Sequence, residues 1–286
     1  MTKKLYPSLS GKKIAVSGST GGIGRELCRH IASLNGEIIC LDRNAEKAAR
    51  LMEEIKKDFP DTRLRHIYMD LEDLESVGAA ADRLGGMNID FLVLCAGAYH
   101  VPRRKCEGGT DNIFQINFLA PYYLATRMKP HLVKNGGRAV AVGSISQVIA
   151  RFDPTDPFCE NGGAAKAYGN AKRCLSFALT RSFEGSDSLA VTHPGVSPTG
   201  ITSGYPAFIK AVIKYPMKLV FMSPRRASEC VLRGIFEPTS TGNWIGPRAF
   251  GVWGKPRTTS LGGYNAAEAD LAIAEGEKNL KMLVGS

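Results

Sequence analysis

Long apolar runs are missing from this chain of 286 residues. No eighteen consecutive apolar residues occur, so nothing in the sequence reads as a membrane-spanning helix. The N-terminal MTKKLYPSLSGKK has charge but no apolar core behind it, so no secretory signal is expected. Paired cysteines are missing too. Cys28, Cys40, Cys95, Cys106, Cys159, Cys174 and Cys230 are odd in number and show neither C-x-x-C spacing nor a nearby histidine cluster. That pattern argues against a disulfide framework or a metal site and for reduced thiols in a cytoplasmic protein. A P-loop would end in Gly-Lys-Ser/Thr, and neither Gly11-Lys12-Lys13 nor Gly254-Lys255-Pro256 does. Internal repeats and low-complexity linkers are lacking, which favours one domain over residues 1–286. The net charge is +10, but the basic residues are spread along the chain without zinc-finger spacing or an aromatic-rich RNA-binding signature, so no nucleic-acid partner is expected.

What is present is an alternation. The runs KKIAVSG, EIICLD, LRHIYMD, IDFLVLCAG, GRAVAVGS and LAVTHPG read as buried strands, and their spacing leaves room for a helix between most of them. Strands separated by helices form right-handed βαβ units, hence a doubly wound α/β fold: a parallel sheet with helices on both faces. After His193-Pro194-Gly195 the chain becomes apolar, basic and punctuated by proline, with Lys210, Lys214 and Lys218 at helical spacing beside Phe208, Ile209, Ile213, Leu219 and Phe221. A substrate cap over about 200–225 fits this composition. Contact of that segment with a membrane is a second, less favoured reading. A helical tail is expected over about 264–284.

Strand one ends in Ser17-Gly18-Ser19-Thr20-Gly21-Gly22-Ile23-Gly24-Arg25 and is followed by a helical pattern. Glycines let backbone approach a pyrophosphate, whose charge then sits on outward-pointing N–H groups at the helix start. The second strand ends in Leu41-Asp42-Arg43-Asn44, which places a carboxylate where a ribose 2′-hydroxyl needs an acceptor. Asp42 repels a 2′-phosphate and Arg43 attracts one; the position of Asp42 favours NAD(H) over NADP(H). Further on, Ala167-Tyr168-Gly169-Asn170-Ala171-Lys172 sets Tyr168 and Lys172 one helical turn apart on one face.

With these motifs the chain, over roughly residues 10 to 250, resembles the short-chain dehydrogenases/reductases. The resemblance implies a Rossmann sheet of about seven strands in the order 3-2-1-4-5-6-7, a nicotinamide dinucleotide, and an assignable site. Gly18, Ser19, Gly22, Ile23 and Gly24 would hold the pyrophosphate, and Asp42, Arg43, Asp70 and Leu71 the adenosine half. Ala96 and Gly97, after Cys95, stand where the family has Asn-Asn-Ala-Gly. Asn117, Ser144, Tyr168 and Lys172 would form the catalytic tetrad, and Pro194, Gly195, Val196 and Thr199 the nicotinamide loop. The 24-residue separation of Ser144 from Tyr168, with RFDPTDPFCENGG between them, and GNWIGPRAF near residue 245 resemble the retinol-dehydrogenase and protochlorophyllide-reductase branch. That branch implies a lipophilic alcohol or carbonyl substrate, such as a steroid, retinoid or long-chain alcohol. The family also implies a homodimer or homotetramer. Two departures stand: Cys95 replaces an asparagine, and Ser17 replaces a threonine.

In that chemistry Tyr168 moves the hydroxyl proton while Ser144 holds the substrate oxygen, Asn117 steadies a water linked to the lysine, and Thr199 fixes the carboxamide. An ammonium about 5 Å away at an effective dielectric of about 20 contributes roughly 3 kcal/mol, so Lys172 is expected to lower the tyrosine by about two pKa units. A C=C reductase and a non-catalytic nucleotide-binding protein are the alternatives. His193, alone before Pro-Gly, reads as a packed strand-end residue.

Overall fold

The apolar runs become the strands of one sheet. The computed structural model describes residues 6–99, 101–195, 222–249 and 251–285. Strands β1 (Lys13–Ser17), β2 (Glu37–Asp42), β3 (Leu64–Tyr68), β4 (Phe91–Leu94), β5 (Arg138–Val142), β6 (Leu189–Thr192) and β7 (Asn243–Ala249) pair in parallel. The sheet order is 3-2-1-4-5-6-7-8. The eighth strand, β8 (Trp253–Ser260), goes beyond the seven expected and runs antiparallel to β7. Its sequence WGKPRTTS has no apolar alternation because both its faces are largely exposed, and Lys255 and Pro256 mark it as an edge strand.

Helices cover both faces. On one side lie α1 (Gly22–Ser33), α2 (Ala45–Asp58) and α7 (Pro224–Phe236); on the other lie α3 (Leu74–Gly85), the short α4 (Asn112–Phe114), α5 (Ala120–Lys134), α6 (Ala164–Ser182) and α8 (Ala266–Val284). Strand alternation sorts the core into two clusters. Ile14 and Val16 of β1 face Leu27, Ile31 and Leu232, while Ala15 faces the layer that holds Phe118, Leu124 and Phe177. Truncating Ile14, which is fully buried, costs roughly 2–5 kcal/mol for lost transfer energy and the cavity. The expected tail is α8, tied to α6 by an ion pair of Arg173 with Glu268 that is largely shielded from solvent. The expected cap segment falls outside the described residues up to Phe221, as do Lys210, Lys214 and Lys218.

Between α4 and α5 the helix widens into a π-turn, Gln115–Leu119. Asn117 sits in it. The sequence reads there as ordinary helix, and the widened turn is what allows Asn117 Nδ2 to donate to the Ile113 carbonyl at 2.9 Å.

Candidate active site

The carboxyl ends of β1, β2, β4, β5 and β6 border one cleft, with the glycine loop across its middle. Gly18 has φ +68°, and a Cβ there would stand 2.7 Å from the Ala96 Cα; one at Gly24 would stand 2.1 Å from the Gly18 carbonyl oxygen. Only glycine fits either place. No side chain caps the first turn of α1, whereas α2, α3 and α8 are capped by Asn44, Asp73 and Asn265. The uncapped donors and the side-chain-free surface suit a pyrophosphate. Gly22, Ile23 and Gly24 line this stretch.

The first half of the cleft, about 290 Å³, is lined by Asp42, Arg43, Asp70, Leu71, Ala96 and Gly97, and also by Asn44 and Lys47, which the sequence reading did not single out. Asp42 is 6 % exposed and its carboxylate is already engaged. Ser19 Oγ donates to one oxygen; Thr20 N, at 3.2 Å, and Thr20 Oγ1, at 2.9 Å, donate to the other. Three of about four acceptor sites are used, leaving room for one ribose hydroxyl. Arg43 is mostly exposed and stands 3.8 Å from Asp70, whose other oxygen accepts from Glu72 N.

The second half, about 330 Å³, brings together Ser144, Tyr168, Lys172, Pro194 and Gly195 with Tyr99, Ile145 and His193. Ser144 lies two residues beyond β5 and caps the short 3-10 turn Ile145–Val148, in a box with Gln147. Gln147 was missed by sequence reasoning. Its Oε1 accepts from Ser144 N at 3.2 Å and from Ser176 Oγ at 2.9 Å, fixing the serine to α6. The S-x-x-Q spacing is the signal that points to it. Tyr99 packs edge-on against Tyr168, with ring centroids 4.9 Å apart. Lys172 is 3 % exposed, donates to the Val142 carbonyl at 3.0 Å, and lies 5.9 Å from the Tyr168 ring centre. Asn117 is wholly buried, and its amide clamps Ala98 through both N–H and C=O. Asn117 and Lys172 meet at Gly97, where a Cβ would be 2.8 Å from Asn117 Oδ1 and 3.2 Å from Lys172 Nζ. Val196 and Thr199 lie outside the described residues.

The expected effect of the lysine on the tyrosine is corrected by burial. Desolvation pushes the Tyr168 phenol up to about 12, offset in part by a hydrogen bond with Ser144. The same desolvation pulls the Lys172 amine down to about 8. The estimate from charge attraction alone omitted this larger opposing contribution. Burial likewise holds His193 down at about 4. Its ring stacks on Trp244, with Nε2 bonded to the Gly251 carbonyl, which is the packing role expected of it. Cys95 lines both halves of the cleft, and burial raises its thiol to about 11, so it is a poor nucleophile. No group of residues that could hold a metal ion exists among the described residues.

Comparison with known proteins agrees with this layout. The short chain dehydrogenase family model matches residues 12–153. A short chain dehydrogenase of Aspergillus nomiae is 34% identical over 128 residues, which cover 44% of this chain and 35% of that protein. The chain thus aligns with about a third of the length of the fungal relatives it matches. Human polyprenol dehydrogenase is 26% identical, with 84% of this chain and 72% of that one covered. A crystal structure of an uncharacterized protein from Mycobacterium paratuberculosis superposes with a TM-score of 0.75 at 21% identity, covering 97% of this chain and 96% of the other. Matched over the stretch that holds its glycine loop and the first five parallel strands, the chain belongs to the short-chain dehydrogenase/reductase family.

Proposed function

We propose that the protein interconverts a hydroxyl and a carbonyl group on a lipophilic substrate. The observation that carries this reading is the convergence of Tyr168, Ser144 and Lys172 on one end of a cleft whose other end is the glycine cradle with Asp42. A nicotinamide dinucleotide, held by Gly18, Gly22, Gly24, Asp42 and Gly97, supplies the hydride when bound. The chain's own residues handle the proton. Ser144 Oγ orients the substrate oxygen, and Tyr168 passes a proton to it or takes one from it. With burial pushing its phenol up to about 12, Tyr168 is protonated at neutral pH, so donation to a carbonyl needs no prior ionisation. Lys172, held on the Val142 carbonyl, lowers the cost of the tyrosinate when the reaction runs toward oxidation.

A lipophilic substrate is supported by the apolar surface that Tyr99 and Ile145 contribute to the cavity, and by the similarity to a polyprenol dehydrogenase. For the cofactor, the buried Asp42 carboxylate and its one remaining acceptor site favour NAD(H). NADP(H) is the second reading, favoured by Arg43 and Lys47 on the same wall. The test is reduced-nicotinamide absorbance with each cofactor and a panel of hydroxysteroids, retinoids and long-chain alcohols with their carbonyl forms. Turnover that disappears in Tyr168→Phe supports the reading. Cofactor binding without turnover on any compound in either direction would sink it in favour of a nucleotide-binding role.

A further inference from the structure

The reactive cavity holds a second serine. Ser146 is half-buried and lines the cavity with Ser144 and Tyr168, and the two serine hydroxyls stand 2.9 Å apart. The pair is local to the 3-10 turn and its cap: Ser146 N also donates to Ser144 Oγ, at 3.3 Å. This turn lies against α6 one residue past the reactive tyrosine. A Cβ at Gly169 would stand 3.0 Å from the Ser146 carbonyl oxygen and 3.5 Å from Ala150 Cβ, so the glycine after Tyr168 is what admits the turn. Ser146 is thus fixed twice, its backbone by α6 and its side chain by Ser144.

A hydroxyl carries one proton and two lone pairs, so the direction of the bond between the serines decides what Ser144 can offer the cleft. If Ser144 donates to Ser146, its one proton is taken up there, and a substrate oxygen meets lone pairs alone. If Ser146 donates, Ser144 Oγ accepts from Ser146 Oγ and from Ser146 N. Both its lone pairs are then occupied, and its proton has the cleft to point into. Two observations favour the second direction. The Ser146 hydroxyl has one hydrogen-bond partner among the described residues, Ser144 Oγ. The bond between Ser144 and Tyr168 draws the phenol down against the push of burial, which a bond donated to the phenol oxygen does and one accepted from it does not.

We propose that Ser146 is a positioning residue of the reaction: by donating to Ser144 it makes that hydroxyl a dedicated donor toward the substrate oxygen. This role rests on the hydroxyl–carbonyl reading of the site and adds to it a direction for the Ser144 proton. A carbonyl oxygen gathers negative charge as hydride reaches its carbon. A donor already turned toward that oxygen stabilises the charge without reorienting during the reaction. Hydrogen bonds in a chain polarise one another, so the bond from Ser146 also strengthens the one that Ser144 makes.

The experiment is a double-mutant cycle on the whole chain: Ser146→Ala, Ser144→Ala and the two together. Each is assayed with NADH and with NADPH against retinal, a ketosteroid and a long-chain aldehyde, with product collected over hours so that slow variants are still read. Ser146→Ala should lower kcat by about five-fold, the size of one hydrogen bond, and leave KM for the cofactor within about two-fold of the parent. Its circular dichroism should match the parent. Ser146→Thr keeps a hydroxyl and should recover most of the loss. In the Ser144→Ala background, Ser146→Ala should have no further effect, because the hydroxyl it orients is gone. The proposal is overturned if kcat is unchanged in Ser146→Ala, if the threonine variant is as slow as the alanine one, or if the two alanine losses multiply. A parent that turns over none of these compounds in either direction sinks the catalytic reading and this role with it. An active parent matched by Ser146→Ala sinks this role alone.

Discussion

At the ribose end of the cleft, three donors from Ser19 and Thr20 hold the Asp42 carboxylate in place, and Arg43 and Lys47 line the same space. At the reactive end, Lys172 donates to the Val142 carbonyl and Tyr168 shares a hydrogen bond with Ser144, and burial decides their ionisation. The first arrangement keeps a charge fixed, which is what discrimination between two nucleotides requires. The second holds an acid and an amine close to the point where a proton moves. Charge that is solvated by local donors selects; charge that is stripped of solvent reacts.

The comparison breaks most decisively at Tyr168. Replacing it by phenylalanine keeps the edge-on packing with Tyr99 but removes the proton carrier, so kcat should fall by about 10³-fold or more. Cofactor affinity, measured by quenching of protein fluorescence, should stay within two-fold or so of the parent. Loss of affinity in step with turnover would mean that the two ends of the cleft do not divide the work as described.

Lys172→Met sharpens the same contrast by separating stability from activity. Turnover should fall by about 10²-fold, since the charge that supports a tyrosinate is gone. Stability should move the other way. Burial brings the folded amine down to about 8 from its ordinary 10.5, so between those values the unfolded chain binds a proton that the folded chain has released. Stability of the unaltered protein therefore rises with pH through that window, and at neutral pH the buried ammonium is a cost. Methionine removes the cost but leaves the Val142 carbonyl without its donor, for a net gain on the order of 1 kcal/mol at pH 7. Denaturant titrations at pH 7 and pH 10 check this: the gain should shrink at the higher pH, and a variant that is less stable at both would show that the amine is not buried as charge.

At the other end, Asp42→Ala removes the carboxylate and frees Ser19 and Thr20. The ratio of kcat/KM for NAD to that for NADP should fall by about ten-fold or more, read from initial rates with both cofactors. An unchanged ratio would place discrimination elsewhere in the wall.

How much of this could be read from the chain depends on whether each feature is local. The glycine loop, Asp42 at the end of β2, and Tyr168 with Lys172 on α6 are short motifs whose geometry follows from strand, turn and helix, and they sit where spacing put them. Gln147 was legible only as a capping spacing, because what it organises, Ser176, is 29 residues away. β8 carried no apolar alternation to read, and the π-turn at Asn117 differs from a helix by one residue of register that composition does not encode. The ionisation of Tyr168 and Lys172 was misjudged for a physical reason. Attraction between neighbours four residues apart is local, whereas desolvation sums over β4, β5 and α6 packed around them.

Arg43 is the smallest test and bears on why an exposed charge counts for less than a buried one. Its side chain is 64% exposed and its carboxylate neighbour Asp70 is 3.8 Å away, so water and salt screen what it offers to a phosphate. Arg43→Ala should therefore raise KM for NADP by only about two- to five-fold and leave that for NAD unaltered, with Lys47 supplying the remaining attraction. The effect should shrink as ionic strength rises, whereas the selectivity set by Asp42 should not, because that carboxylate is shielded from solvent by the loop that bonds it. Equal salt dependence of the two variants would erase the distinction between a charge fixed inside the fold and one held at its edge.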